Sequence, residues 1–199
     1  MGVLDEAIGY LSGPMEFVKD HGVEWRRKFI QLVQEAGLNI DVIDPTNKPG
    51  ECIGEDPMHQ VNLQKNGQFK ELQQYVRNYR HLDLRYTDIS DFLVVVVDPT
   101  VPQWGTSNET YLAEMQQKPT FFIVENGLHN LPRWLFDVID KVQSDDPAVA
   151  QAEANVFESV EEVVEELVAL DSGKKPLSKE WVLVRKVLRE QRILSDPNP

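Results

Sequence analysis

The residues best suited to catalysis or ligand binding form the short segment Gly105-Thr106-Ser107-Asn108-Glu109, which is predicted to begin a helix. Gly105 allows the main chain to approach a ligand closely. The next three residues offer hydroxyl, amide and main-chain donors at a helix start. Glu109 is expected on the first turn, where the helix dipole stabilises a carboxylate by about 0.3–1 kcal/mol. Such a carboxylate can attack the anomeric carbon of a sugar and form a covalent glycosyl-enzyme.

The same segment also has a purely structural interpretation. Thr106 and Glu109 have the spacing of a capping box, in which the glutamate carboxylate accepts a hydrogen bond from the main-chain N–H of the threonine. Local spacing by itself favours this cap over the nucleophile. The elements that position Glu109 are therefore needed to choose between the two interpretations.

Short apolar segments alternate along the chain with longer segments of helical period, a pattern typical of a parallel sheet with helices on both faces. We predict a doubly wound, flavodoxin- or Rossmann-like α/β fold with five parallel strands and an extra C-terminal helix. The predicted strands are 8–12, 40–43, 92–97, 120–124 and 155–158. The predicted helices are 25–36, 69–89, 105–117, 132–142, 160–168 and 178–194. Residues 1–172 are expected to form the α/β domain, followed by a basic helix and tail over 173–199.

The segment 47–68 is rich in Pro, Gly, Asn and acidic residues. It is too long for a routine connection in a compact domain, and loops of this length are usually lids or disordered. We predict a long loop that can serve as a lid.

Ligands of open parallel sheets bind beyond the carboxyl ends of the strands. Three segments are predicted at that edge, and each follows a strand. They are Ser12-Gly13-Pro14-Met15, Asp44-Pro45-Thr46, and the stretch from Asp98 to Glu109, which contains Gln103, Trp104, Gly105, Thr106 and Ser107. We expect these segments to form the binding site.

Charge and composition exclude several classes of function. The formal net charge of −13, from 33 acidic and 20 basic residues, opposes the binding of a nucleic-acid polymer. A single cysteine, Cys52, cannot form an internal disulfide and fits a reducing compartment. No segment approaches the roughly 20 apolar residues of a membrane span. The four histidines are scattered without metal-ligand spacing. We expect a cytoplasmic protein with no metal, no cofactor and no membrane contact.

The sign of the charge reverses near the C-terminus. Residues 151–171 carry seven acids and no Lys or Arg, whereas 174–192 carry seven basic residues and two acids. The last helix is expected to dock on an acidic surface of its own chain or of a neighbouring subunit in a homo-oligomer. The alternative is a solvated charged face.

Several motifs occur together in a fixed order around the predicted sheet. They are Tyr10-Leu11-Ser12-Gly13-Pro14-Met15, His81-Leu82-Asp83-Leu84, Asp88-Ile89-Ser90-Asp91, Gly105-Thr106-Ser107-Asn108-Glu109 and Lys118-Pro119. Together they resemble the nucleoside 2-deoxyribosyltransferase family over about residues 8–124. The resemblance implies that Glu109 is the nucleophile, that Tyr10 orients it, and that Asp83 lies on the base-binding side. Members of this family exchange bases between 2-deoxyribosides, and relatives hydrolyse nucleoside monophosphates.

One position departs from the family pattern. Six residues before the nucleophile, the transferases carry an Asp that holds the sugar 5′-hydroxyl and the hydrolases tend to carry a Ser, whereas this chain has Gln103. A neutral amide does not repel a 5′-phosphate, so Gln103 favours a nucleotide or a modified substrate. Asp98 could instead replace the missing carboxylate. Trp104 could stack on a base or belong to an interface, and Arg26 could meet a phosphate, although solvation of its helix is the simpler expectation.

The resemblance and the charge pattern together lead to one principal hypothesis and three alternatives. The protein is expected to cleave or transfer at the N-glycosidic bond of a nucleoside or nucleotide through a glycosyl-Glu109 intermediate. The alternatives are a nucleoside 5′-monophosphate N-glycosidase, a nucleotide-binding module without turnover, and an assembly protein that uses its charged C-terminal helix.

Overall fold

Five parallel strands form a single sheet in this computed structural model, which describes residues 2–16, 18–48 and 57–191. The strands are β1 (Ile8–Ser12), β2 (Asp41–Ile43), β3 (Phe92–Val97), β4 (Thr120–Val124) and β5 (Val156–Phe157). Their order across the sheet is β2-β1-β3-β4-β5, the doubly wound order of flavodoxin-like folds. The predicted α/β fold class is therefore confirmed.

Helices cover both faces of the sheet. They are α1 (Val23–Glu35), α2 (Pro57–Lys65), α3 (Phe69–Ile89), α4 (Trp104–Met115), α5 (Pro147–Glu153), α6 (Val160–Asp171) and α7 (Val184–Glu190). The α1 and α6 helices pack together over one face, and α3 packs against α4 over the other. None of the helices within the described ranges is long and apolar enough to cross a bilayer.

The central strand β3 supplies side chains to both layers of the core. Phe92 and Val94 join the cluster under α1 and α6, while Leu93 and Val95 join the cluster under α3 and α4. This alternation follows from the two-residue period of a strand. A strand buried on both faces needs a continuous apolar sequence, as the run Phe92–Val97 shows.

Some predicted boundaries were wrong. The segment predicted as a loop over 47–68 contains helix α2, and its residues 49–56, with Cys52, lie outside the described ranges. The helix predicted over 132–142 is instead a 3-10 helix over Arg133–Asp137, preceded by another over Gly127–His129. Helix α5 was not predicted, and the described part of the last helix begins at Val184 rather than at residue 178.

The basic C-terminal segment docks on its own chain. Arg185 forms an ion pair with Asp41 and Arg189 with Glu6. Ahead of α7, the ring of Trp181 packs 5.4 Å from the ring of Phe92, centroid to centroid. The segment therefore covers the core cluster beside α1 and α6.

The buried carboxylate of Asp91 connects this segment to the sheet. One oxygen accepts from the main-chain N–H of Ile8 at 2.7 Å and the other from that of Val184 at 2.8 Å. Burial raises the pKa of Asp91, although both hydrogen bonds act in the opposite direction. Asp91 thus joins the start of β1 to the first turn of α7.

Candidate functional site

A cavity of about 260 Å³ lies where the strand order reverses, at the carboxyl ends of β1 and β3. This reversal is the position at which open α/β sheets bind their ligands. The walls come from the loop after β1, from the middle of α3 and from the first two turns of α4. Glu109, Tyr10 and Asp83, the three residues implied by the family resemblance, all line the cavity.

The carboxylate of Glu109 is held by two hydroxyl groups of β1. The Tyr10 hydroxyl donates to one oxygen at 3.0 Å, and the Ser12 hydroxyl donates to the other. Both donors are fully buried, and Glu109 itself is only 8% exposed. Residues two apart on a strand point to the same face, which brings both hydroxyls to α4. The arrangement fixes the orientation of Glu109 at the wall of the cavity.

These contacts contradict the capping-box interpretation. Helix α4 begins at Trp104, so Glu109 lies on its second turn, and the expectation of a first-turn position was wrong. The main-chain N–H of Ser107 bonds the carbonyl of Gln103, within an ordinary helical start. Because both oxygens of Glu109 accept hydrogen bonds from β1, the carboxylate serves the cavity rather than the helix terminus.

The Tyr10 hydroxyl remains a proton donor throughout the physiological pH range. Burial is the main cause that raises its pKa well above the ordinary value, and the negative charges of Glu109 and Asp83 raise it further. Its ring also packs against Tyr86, with centroids 6.5 Å apart. A carboxylate that receives two O–H donors can act only as an acceptor or as a nucleophile.

The second cavity carboxylate, Asp83, forms an ion pair with Lys48. The Lys48 ammonium lies 2.9 Å from one oxygen of Asp83 and 3.0 Å from the other. The Lys48 side chain is 2% exposed and that of Asp83 is 9% exposed. The same ammonium lies 5.4 Å from the ring centroid of Tyr79, one helical turn before Asp83 on α3. Sequence reasoning missed Lys48, since its partner is 35 residues away.

The guanidinium of Arg26 shapes the loop after β1. It donates to the main-chain carbonyls of Leu11, Gly13 and Gly22 at 3.3, 3.1 and 2.8 Å. The side chain is fully buried, which corrects the expectation that it solvates its helix. Its position three and seven residues before the buried Phe29 and Val33 was the signal that could have revealed this.

Most of the predicted binding residues line the cavity. These are Gly13, Pro14, Met15, Gln103, Trp104, Gly105 and Thr106, whereas Ser12 reaches the site through its bond to Glu109. Trp104 is 79% exposed at the cavity rim. Pro45 and Asn108, which belong to the predicted edge segments, line the cavity as well, whereas the lining residues Glu16, Val76, Tyr79, Arg80 and Leu84 were not assigned to the site from the sequence.

Two predicted binding residues, Asp98 and Ser107, lie elsewhere. They line a neighbouring cavity of about 210 Å³ on the other side of Gln103 and Thr106. The Asp98 carboxylate accepts from the main chain and the hydroxyl of Thr100, at 2.9 and 2.6 Å. Asp98 therefore lies outside the lining of the cavity that contains Glu109, and its replacement of the family carboxylate stays a prediction. The amide of Gln103 donates to the Asp98 main-chain carbonyl at 2.6 Å, and the Ser107 hydroxyl donates to the carbonyl of Gln103.

Within the described ranges, no cluster of three or more His, Cys, Asp or Glu side chains has the arrangement of a metal site. Comparison with family models and with curated proteins finds no match. Among solved structures, the chain is similar to a conserved protein from Enterococcus faecalis V583. That similarity has 17% sequence identity and a TM-score of 0.39, and it covers 94% of this chain and 99% of the other.

Proposed function

We propose that this protein cleaves or transfers the N-glycosidic bond of a nucleoside, with Glu109 as the nucleophile. The observation that supports this most directly is a buried carboxylate, oriented by the hydroxyls of Tyr10 and Ser12, at the wall of a cavity. Orientation by fixed donors is what a carboxylate nucleophile requires, because a misplacement of about 1 Å costs on the order of 100-fold in rate. The family resemblance supports the same role.

The chemistry proceeds in two displacements at C1′ of the sugar. A Glu109 oxygen forms a bond to C1′ while the C1′–N bond breaks, and the base leaves with the electron pair and takes up a proton. A nitrogen of a second base, or a water molecule, then attacks C1′ from the opposite face and releases the Glu109 carboxylate. The incoming nucleophile loses a proton, and the configuration at C1′ is retained overall.

The charges around the cavity favour an uncharged nucleoside over a nucleoside monophosphate. Glu16 and Glu109 line the cavity and would repel a phosphate, whereas the charge of the third lining carboxylate, Asp83, is compensated by Lys48. The buried cation Arg26 uses its guanidinium to hold three main-chain carbonyls of the β1 loop and its neighbourhood. Arg80, which is exposed, is the other arginine of the lining. This balance outweighs the preference for a phosphate suggested by Gln103.

Chromatographic detection of base release tests the proposal. The wild type is incubated with ribo- and deoxyribonucleosides and their monophosphates, with and without a free acceptor base. Exchange that requires the acceptor identifies a transferase, and release without it identifies a hydrolase. A wild type that is silent on the whole panel contradicts the proposal, and calorimetric binding in that case indicates a binding module.

A matched pair of variants of α4 assigns the nucleophile. Glu109→Gln keeps the shape of the side chain and is expected to abolish turnover. Glu114→Gln makes the same change at an exposed position of the same helix and should keep it. A nucleoside with fluorine at C2′ of its sugar should leave that sugar on Glu109, as located by mass spectrometry of peptides. Full activity of Glu109→Gln, or labelling at another residue, would exclude this role.

A further inference from the structure

The Lys48–Asp83 ion pair sets the chemical character of the part of the cavity that α3 lines. Asp83 lines the cavity, whereas Lys48 is not among the lining residues and contacts both oxygens of Asp83 from outside it. A buried carboxylate and a buried ammonium in such contact favour their charged forms over the neutral ones. Asp83 therefore presents to the cavity a carboxylate that accepts hydrogen bonds and has no proton to donate.

Helix α3 contacts the Lys48 ammonium through two side chains that lie one helical turn apart. The ammonium lies against the ring of Tyr79 and the carboxylate of Asp83, which stand four residues apart on the same helix face. The Tyr79 hydroxyl in turn donates to Gln60 of α2 at 3.2 Å. The contact is thus built from three elements, and Lys48 has little freedom to leave Asp83 without moving them.

The same wall suits a flat, largely apolar group. Val76 and Leu84 of α3 line the cavity beside Asp83, and the exposed indole of Trp104 stands at its rim. If Glu109 attacks C1′ of the sugar, as proposed above, the base must occupy another part of the cavity, and the α3 wall offers apolar surface with one acceptor. The remaining charged or titratable groups of the lining are Tyr10, Glu16, Arg26, Tyr79, Arg80 and Glu109.

We propose that Lys48 is a positioning residue that holds Asp83 as a fixed hydrogen-bond acceptor for an N–H group of the base. This inference rests on the proposed function. That Asp83 lies on the base-binding side is what the family resemblance implies; the inference adds Lys48 as the residue that keeps Asp83 an acceptor, and it predicts a preference for nucleosides whose base presents an N–H donor.

Four variants test whether Lys48 acts through Asp83. They are Lys48→Met, Lys48→Arg, Asp83→Asn and the double variant Lys48→Met/Asp83→Asn. We expect Lys48→Met to lower kcat/KM by about 10–100-fold. Lys48→Arg should restore most of this loss, since it keeps the charge. The double variant should be no worse than Asp83→Asn alone, because Lys48 acts through Asp83. Lys28→Met is the control: Lys28 is half exposed, pairs with Glu161, and should be silent.

The choice of substrate separates an acceptor from a proton donor. The wild type should prefer the 2′-deoxyriboside of adenine, which has an amino N–H, over that of unsubstituted purine, whose base has no N–H while it is attached to the sugar. This preference should shrink in Lys48→Met and in Asp83→Asn. The proposal would be overturned if the variants lowered kcat/KM equally for both substrates. It would also be overturned if the decreases in kcat/KM of the two single variants multiplied in the double variant.

Reductive methylation of lysines reports on the Lys48–Asp83 ion pair without requiring any enzymatic activity. Lys48, at 2% exposure, should resist reductive methylation compared with Lys28 and Lys175, whose side chains are 53% and 51% exposed. Asp83→Ala should abolish that protection.

If the wild type shows no glycosyl transfer, calorimetric binding of free adenine takes the place of kinetics, with the same order of variants expected in Kd. Protection with adenine binding but no turnover leaves this inference standing while the catalytic proposal fails. Unprotected Lys48, or adenine binding unaffected by Lys48→Met, refutes it.

Discussion

Replacement of Tyr10 by Phe removes one hydroxyl from the candidate site and leaves the ring that packs in the core. The hydroxyl donates to a buried, charged acceptor at 3.0 Å, and hydrogen bonds to charged groups contribute about 1.5–3 kcal/mol to stability. Glu109, at 8% exposure, has limited access to water that could replace the donor. We expect the free energy of unfolding to fall by about 1.5–3 kcal/mol. Activity should fall by about 10–100-fold, since one of the two groups that orient the nucleophile is lost.

A second tyrosine provides a control with the same chemical change. The Tyr111 hydroxyl is buried and has no hydrogen-bond partner within the part of the chain that the structure describes. Tyr111→Phe therefore removes a hydroxyl without breaking a bond, and its stability should stay near that of the wild type or rise. Urea denaturation of the wild type and both variants measures the contrast.

Spectrophotometric titration of the five tyrosines gives an independent test. Tyr10 should ionise far later than an ordinary tyrosine, because burial and two nearby carboxylates raise its pKa. Burial also raises the pKa of Tyr111, so the titration compares Tyr111→Phe with the double variant Tyr10→Phe/Tyr111→Phe, and only the first should show the late step. Equal stability changes in Tyr10→Phe and Tyr111→Phe, or a late step that persists in the double variant, would refute the described arrangement around Glu109.

Three further predictions concern other parts of the molecule. Asp91→Asn should lower the free energy of unfolding by about 1–3 kcal/mol, since its amide nitrogen would face a main-chain donor. Because burial raises the folded-state pKa of Asp91, the contribution of Asp91 to stability is full below the unfolded pKa near 3.8 and is lost as pH rises. The difference in unfolding free energy between wild type and variant, measured by urea denaturation, should therefore narrow from pH 4 toward neutrality. Trp104→Ala should raise KM while the stability changes by less than about 0.5 kcal/mol, since the indole is 79% exposed, and an unchanged KM would remove it from the site. Gly22→Ala should destabilise measurably in thermal unfolding, because Gly22 has φ +73° and a Cβ would lie 2.3 Å from Arg26 Nη1; a neutral result would contradict the described packing of the β1 loop.

The sheet could be predicted from the sequence because its strands carry strong local signals. The apolar runs Ile8–Ser12, Phe92–Val97 and Thr120–Val124 match the observed strands residue for residue. Each of them is buried along nearly its whole length, so the hydrophobic pattern and the burial coincide. The position of Glu109 at the ligand-binding edge followed from this order.

The missed helices bury little surface and so carry little periodicity. In α2 the core residue is Leu63, and in α5 it is Ala150. Helix α5 did have a readable start, since the Asp146 side chain caps it and Pro147 occupies its first position. The segment 132–142, which was predicted as a helix, contains the large apolar residues Trp134 and Phe136, and both are exposed.

The electrostatics of the site depend on contacts that no local pattern reveals. Lys48 and Asp83 meet across 35 residues, and Tyr10 meets Glu109 across 99. A basic residue in a polar segment is on average solvated, so the burial of Lys48 depends on the tertiary structure alone. The family resemblance identified Tyr10, Asp83 and Glu109 as candidates, but it offered no information on Lys48 or on the role of Arg26.

The pleat of β1 makes the site and the core interdependent. Tyr10 and Ser12 face Glu109, and Leu11 between them fills the opposite layer of the core. A single inserted or deleted residue within this strand would reverse the parity, bring an aliphatic side chain to the carboxylate and send a hydroxyl into the apolar layer. Length changes in relatives that keep this chemistry should therefore fall in the loops on either side of β1 and spare the strand itself.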